Sequence, residues 1–472
     1  MKLSIFPMRL HKKLSFISLY RILLSNLKKH LITNQFPCEA SHFITEGCFE
    51  DNHQCPGGWA QYDQGTRIIT ETLQEQAEKY PVWQWFAETN KKYLEKGGQI
   101  HRLATFLQQE KAEKQGIIIV LANKNYLHAK TEAIFLYKHL QNLRLGVQIL
   151  DILELLAKLK AKEIPVDAFF YYCYYNDAEL KQLCGQEKLE FSVICQELKK
   201  FKIQNRFGRE GLSFSQRNWI QETGIYKKDT IFQPVIYSET IRERGFSYLN
   251  NLDLSSLVLK LETSYGGYGI YFPNQFSLEF IQELLLQKKS FVLETYLQQP
   301  SMFQPVFRLT GRCNTRFVHF AEVFIDTRIT FLYSSKQEFQ RLHVFNRANL
   351  EGKPCNLASG GIFLYNWLVP DEMYLMLQHQ ISEFWSRVSS EQMKSLQDTF
   401  HKKLWEKGVI DPNTKIPYAM GLTPYIMSKS SVSRLENYAR MWLSCIQKRF
   451  QSKGVDKKPF IIALDFSLNP RY

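Results

Sequence analysis

The chain has 472 residues, 44% hydrophobic and 22% charged, with a net charge of +14. That balance fits a globular protein of two or three domains and excludes disordered and collagen-like classes. No uncharged stretch reaches the ~18 residues of a membrane-spanning helix, and nine scattered cysteines fit a reduced cytoplasmic protein better than a disulfide framework.

Half of the positive excess lies at the front, where Lys2, Arg9, Lys12, Lys13, Arg21, Lys28 and Lys29 precede Gln35 with no acid among them. Leucines and aromatics run between these charges. Residues 1–34 therefore predict either a helix packed on the body of the protein with a solvated basic face, which is the expected reading, or a peripheral contact with an anionic membrane surface. A signal peptide is not expected, because Arg21 interrupts the apolar run and no small-residue cleavage site follows. Cys38, His42, Cys48, His53 and Cys55 come next. Only His53 and Cys55 form a close pair, and a Cys-bearing surface segment fits better than a zinc site.

Residues 68–112 carry apolar side chains at helical spacing, among them Ile68, Leu73, Trp83, Phe86, Leu94 and Leu103. The run Ile117–Leu121 then reads as a buried parallel strand. A helix over 132–142, a strand at 146–150, a helix through Leu159 and strands at 166–172 and 191–194 complete a parallel α/β unit. No glycine-rich dinucleotide fingerprint follows its first strand, so a nicotinamide site is not expected. A short helix over 214–223 leads to an extended stretch, and the next hundred residues are rich in strands. Residues 370–407 and 431–449 are helical, and 460–466 form a strand bearing Asp465. No repeat or low-complexity segment is present.

The segment from Leu257 to Tyr271 reads as a hairpin. An apolar strand delivers Lys260, and its tip holds Gly266, Gly267 and Gly269. Such glycines let backbone amides approach a phosphate, although a plain glycine-rich turn has the same composition. Glu294 sits in the apolar strand Ser290–Leu297. A carboxylate there needs donors, which ribose or adenine would supply, as would a nearby Lys or Arg. Arg308 lies in a third strand, where it would serve phosphate binding or surface pairing.

In their order these elements resemble the ATP-grasp family: a strand lysine, a glycine-rich hairpin, a helix, a strand with a hinge glutamate and an arginine-bearing strand. Asn356 ahead of Ser359-Gly360-Gly361, and Asp465 near Asn469, continue that order. Upstream, residues 214–225 resemble the helix that carries the family's other lysine, with Arg217 in its place; an ordinary solvated arginine remains the alternative. The resemblance spans roughly residues 116–472 and is clearest from 257 on.

The resemblance implies an α/β (α+β), ATP-grasp-like fold with a parallel α/β pre-ATP-grasp domain and a helical, basic leader. Its parts are 1–65, 66–205, 206–300 and 301–472, the last two being the central and C-terminal ATP-grasp subdomains. The activity implied is an ATP- and magnesium-dependent ligase that turns a small-molecule or peptide carboxylate into an acylphosphate for attack by an amine or similar nucleophile. Lys260, Arg217, Gly266, Gly267, Gly269 and Glu294 would hold ATP, Arg308 would face the transferred phosphate, and Asp465 with Asn469 would hold Mg2+. The family carries a further acid and Asn beyond the first metal Asp. The sequence ends at Tyr472, so Asp465 and Asn469 serve as a compressed pair or the metal site is incomplete. Alternatives are a non-catalytic relative and a basic binder of membrane surfaces or nucleic acid; nucleic acid is not the expected partner.

Overall fold

The computed structural model describes residues 47–467, except 53–57, 78–79, 112–116, 123, 125–126, 166–167, 174–183, 187–189, 191, 194–195, 197–201, 205–234, 262–268, 298, 310–315, 335, 337, 351–352, 356–359, 410–417 and 453–459. The basic leader, Arg217, Gly266, Gly267 and Asn469 thus lie outside the described residues.

A strand, β1 (Gly47–Asn52), is followed by three helices: α1 (Trp59–Gln74), α2 (Pro81–Glu95) and α3 (Gly98–Lys111). Pro81 opens α2, where its missing N–H has no intrahelical partner to lose. The N-terminal amides of α1 are capped from a distance, since the Gly58 N-cap has no side chain. Buried Glu132 accepts from the Gly58 and Trp59 amides at 2.7 and 2.9 Å. Buried Asp63 does the same for α3, accepting from the Gln99 and Ile100 amides at 2.8 and 3.0 Å. Gly98 allows that approach: its φ is +64°, and a Cβ there would lie 2.5 Å from the Asp63 carboxylate. Burial raises both acids against their donors, Glu132 to about 8 and Asp63 to about 6.

A parallel unit follows: β2 (Ile118–Ala122), α4 (Leu127–Asn142), β3 (Val147–Leu150), α5 (Ile152–Lys160), β4 (Phe169–Cys173) and β5 (Lys202–Gln204). The strand order is β3-β2-β4-β5 with every pairing parallel. All five residues of β2 are buried, as the apolar run predicts for a strand covered on both faces. One expectation is corrected. Residues 192 and 193 are helical, and the fourth strand is Lys202–Gln204, too short and too polar to announce itself.

The next sheet is small and antiparallel, in the order β6-β9-β7-β8. It contains β6 (Val235–Tyr237), α6 (Ser238–Arg244), β7 (Leu257–Leu261), β8 (Ile270–Tyr271), α7 (Leu278–Leu286) and β9 (Phe291–Thr295). Ser277 caps α7 by accepting from the Phe280 amide. Leu257 and Leu259 of β7, with Phe291 and Leu293 of β9, share a core with Ile241 and Leu284 of the two helices. Strand alternation then turns Val258, Lys260, Val292 and Glu294 to the opposite face.

The C-terminal lobe is built on β10 (Ser301–Leu309), β11 (Arg316–Tyr333), β12 (Phe339–Asn349), β13 (Ile362–Leu364), β14 (Asn366–Val369), α8 (Tyr374–Arg387), α9 (Ser390–Glu406), β15 (Tyr418–Gly421), β16 (Tyr425–Ser428), α10 (Lys429–Ser452) and β17 (Phe460–Ser467). Its main sheet runs β1-β17-β11-β10-β15-β13-β12, and β12 pairs back onto β11. The length of β11 permits this: β10 pairs with residues 316–324 and β17 with 327–333, while β12 takes 324–333. One face of the sheet packs on α10 through Ile325, Ile329, Leu435 and Leu443. The other face shares a core with α1–α3, α8 and α9, in which Trp59, Trp83, Phe307, Phe345, Phe384 and Phe400 are buried. Val120 and Tyr171 of the parallel unit belong to the same core, so the helices of residues 59–111 bind the parallel unit to the C-terminal lobe. The whole is a mixed α/β architecture.

Candidate functional site

A cleft of about 720 Å³, open mouth included, lies where the small sheet meets the main sheet. From the small sheet come Val258, Lys260, Ile270 and Glu294; the end of β9 and the residues after it add Thr295, Tyr296 and Leu297. From the main sheet come Asp326 and Arg347, followed by Lys353, Pro354 and Cys355 after β12. Apolar walls with a few charged groups converging on them are what a small-molecule site requires. Three cations and two carboxylates line this one, which favours a ligand bearing negative charge.

Lys260 and Glu294 are brought together. Val258 pairs with Glu294 and Lys260 with Val292 across the β7–β9 ladder, so the two charged residues are diagonal neighbours on the cleft-facing side. Lys260 Nζ donates to Glu294 Oε2 at 2.6 Å, and both side chains are buried. Gly269 stands at the other end of the hairpin. Its φ of +69° lets its carbonyl accept from the Leu261 amide at 2.9 Å, and Ile270 next to it lines the cleft.

On the opposite wall, β11 and β12 carry a cluster that the sequence reading did not find. Asp326 and Arg347 are cross-strand partners, as are Arg328 and Asp465. The Arg347 guanidinium meets both oxygens of Asp326, at 3.0 and 2.5 Å, and its Nη2 also donates to Asp465 Oδ2 at 2.8 Å. Arg328 holds Asp465 in a two-pronged contact, both bonds 2.6 Å. Burial lifts the Asp326 carboxyl to about 6, with Arg347 pulling it down and Asp465 pushing it up. Asp465 itself has no exposed surface, and among the lining residues it is represented only through Arg347.

Arg308 is placed elsewhere. It pairs with Phe317 of β11 and with Ala419 of β15, and alternation along β11 puts it on the face opposite Asp326. It does not line the cleft. Its Nη2 is buried with no hydrogen-bond partner among the described residues, and burial lowers its pKa. Cys355 lines the cleft, and burial foremost holds its thiol well above the usual range, which disfavours the thiolate.

The two implied cofactors fit differently. To a nucleotide the cleft lining offers a buried lysine, a carboxylate and apolar walls side by side. Magnesium does not fit Asp465, because it wants open oxygen ligands in octahedral array, whereas both Asp465 oxygens already accept from guanidinium groups. Among the described residues no group of three or more His, Cys, Asp or Glu could hold a metal ion. Nor is any described helix long and apolar enough to cross a membrane.

No family model matches the sequence, and no curated protein matches it. Among solved structures, a D-alanine–D-alanine ligase from Bacillus anthracis matches over 72% of this chain and 98% of its own, at 10% identity and a TM-score of 0.27. A superposition that loose transfers no residue, substrate or reaction to this chain.

Proposed function

We propose that the cleft binds ATP and that the chain is an ATP-grasp-like protein, with a carboxylate-activating ligase as the reaction that the order of its motifs implies. The observation that supports this most is the buried Lys260–Glu294 pair on the cleft face of the small sheet, in a cleft that Arg347 and Lys353 also line. In this reading Lys260 neutralises phosphate oxygens and Glu294 holds the nucleoside. The hairpin that ends at Gly269 covers the phosphates with its amides, Gly266 and Gly267 among them, and Arg217 adds a further charge to the nucleotide.

A carboxylate substrate would attack the terminal phosphate, and an amine or similar nucleophile would then displace phosphate from the acylphosphate. The protein's part is to position the reactants and neutralise charge. Lys260, Arg347 and Lys353 supply that charge from the cleft wall, whereas Arg308 acts only if substrate reaches the other face of β10. Nothing is routed here through a metal.

A second reading, nucleotide binding without turnover, is favoured by one specific observation: Arg328 and Arg347 occupy Asp465. Calorimetric titration with ATP tests the common ground. Lys260→Ala is expected to weaken binding at least about tenfold, or ~1.4 kcal/mol, and equal affinity in the two proteins would end the nucleotide reading. Phosphate release that depends on an added carboxylate separates ligase from binder.

A further inference from the structure

We infer that this cleft takes its nucleotide without a divalent ion, because Arg347 and Arg328 already occupy the oxygens of Asp326 and Asp465 that a metal would need at this wall. The inference rests on the nucleotide reading of the cleft and adds its ionic requirement.

Four side chains carry it. Asp326 and Asp465 bring two negative charges, Arg328 and Arg347 two positive ones, and the group is closed by five charge-assisted bonds of 2.5–3.0 Å. Each carboxylate oxygen in it accepts at least one of those bonds. The members come from three neighbouring strands, β12, β11 and β17, and each is at most 5% exposed. A metal ion entering the cleft meets the Asp326 carboxylate only together with the Arg347 guanidinium bonded to it, since both line the cleft and the fully buried Asp465 does not. Like charge repels there, and the ion gains a carboxylate oxygen only by breaking a buried ion pair and leaving a guanidinium uncompensated. Magnesium also sheds its waters reluctantly and usually takes one or two carboxylates together with the phosphates. Neither acid at this wall is available on those terms.

A guanidinium does part of the same work. It is permanently charged, planar and matched to paired oxygens. Arg347 is fixed in orientation by two carboxylates, which spares the cleft the cost of ordering a long side chain when an anion arrives. Lys260 is fixed likewise by Glu294. The cleft thus presents two positioned cations, one on each sheet, facing the same space.

The test uses the full chain. ATP is titrated by calorimetry in a buffer with EDTA and in one with excess Mg2+, and Mn2+ alone is titrated against the protein while the free-ion signal is read by electron paramagnetic resonance. The expected result is ATP affinity within about threefold in the two buffers, a difference of well under 1.4 kcal/mol, and no saturable Mn2+ uptake. ATP binding that appears only with Mg2+, or is more than about tenfold tighter with it, overturns the inference and leaves the nucleotide reading intact. So does one Mn2+ per chain that is lost in Asp465→Asn. No ATP binding in either buffer overturns both.

Discussion

Lys260 and Glu294 approach to 2.6 Å from neighbouring strands, yet they are not directly paired: each stands two residues along from the other's cross-strand partner. The diagonal contact places both charges on the face that β7 and β9 turn away from their helices, with 8% and 2% of the side chains exposed. Removing one partner leaves a buried charge uncompensated. Lys260→Met is expected to cost about 3–5 kcal/mol of stability in urea denaturation. The double variant Lys260→Met/Glu294→Leu is expected to recover most of that while still binding ATP weakly. A single variant as stable as the parent would show that water already screens the pair.

The arginine–aspartate group makes a second stability prediction. Asp465 is shared by Arg328 and Arg347, whereas Asp326 is held by Arg347. Asp465→Asn strands the Arg328 guanidinium in a buried site and is expected to lower stability by roughly 3–5 kcal/mol. Asp326→Asn leaves Arg347 with Asp465 and is expected to cost less. If chemical denaturation ranks the two the other way round, Asp465 is not the anchor of the group.

Glu132 gives a pH signature. Burial raises its folded-state pKa to about 8, above the ordinary glutamate value of 4.5, so the folded chain keeps this proton where the unfolded chain has lost it. The associated stabilisation is full below pH 4.5 and is lost as pH rises to about 8, at up to about 1.4 kcal/mol per pH unit. Glu132→Gln keeps an acceptor for the Gly58 and Trp59 amides and does not titrate. Between pH 5 and pH 8 the melting temperature of the parent is expected to fall relative to that of the variant, and parallel curves would mean that Glu132 is ionised throughout. The comparison subtracts His343, whose burial lowers its pKa and whose pH dependence has the opposite sign.

Gly65 tests how the first helix meets the C-terminal lobe. A Cβ at this position would lie 2.0 Å from the Tyr365 hydroxyl and 2.5 Å from its ring. Gly65→Ala is expected to destabilise by about 1–3 kcal/mol through overpacking, despite alanine's better helix propensity. Tyr365→Leu in the same chain is expected to relieve part of the loss, and a stabilised Gly65→Ala would show that α1 does not pack on Tyr365.

Much of this architecture was legible in the sequence, for reasons that differ by element. The run Ile118-Ile119-Val120-Leu121 is apolar throughout because both its faces are covered, and no helical period competes with it. Lys260 and Glu294 stood out because each is a lone charge in an apolar strand. Arg328 and Arg347 did not, since charged residues in long antiparallel strands ordinarily face water, and only the register of β11 against β12 and β17 reveals that they point at Asp326 and Asp465. Arg308 was read as a phosphate ligand because it follows the hinge strand. Val306 and Phe307 are both fully buried, so β10 is apolar on both faces and its alternation gave no sign of which face Arg308 takes. Glu132 and Asp63 act as helix caps across 74 and 36 positions of chain, a range over which local capping rules are silent.

The pairing of β1 with β17, which sets residue 50 against residue 465, has a consequence for how the protein comes into being. The strand that carries Asp465 gains its second edge partner from the far end of the described chain, so the main sheet cannot be completed until nearly all of it has left the ribosome. Contacts of such long range fold slowly, and until they close, β11 offers an open edge along residues 327–333 to any passing strand. Pieces cut to isolate the C-terminal lobe from residue 206 onward would lack β1 and leave β17 bare on one side. Aggregation of such pieces would then report a missing strand and say nothing against the cleft.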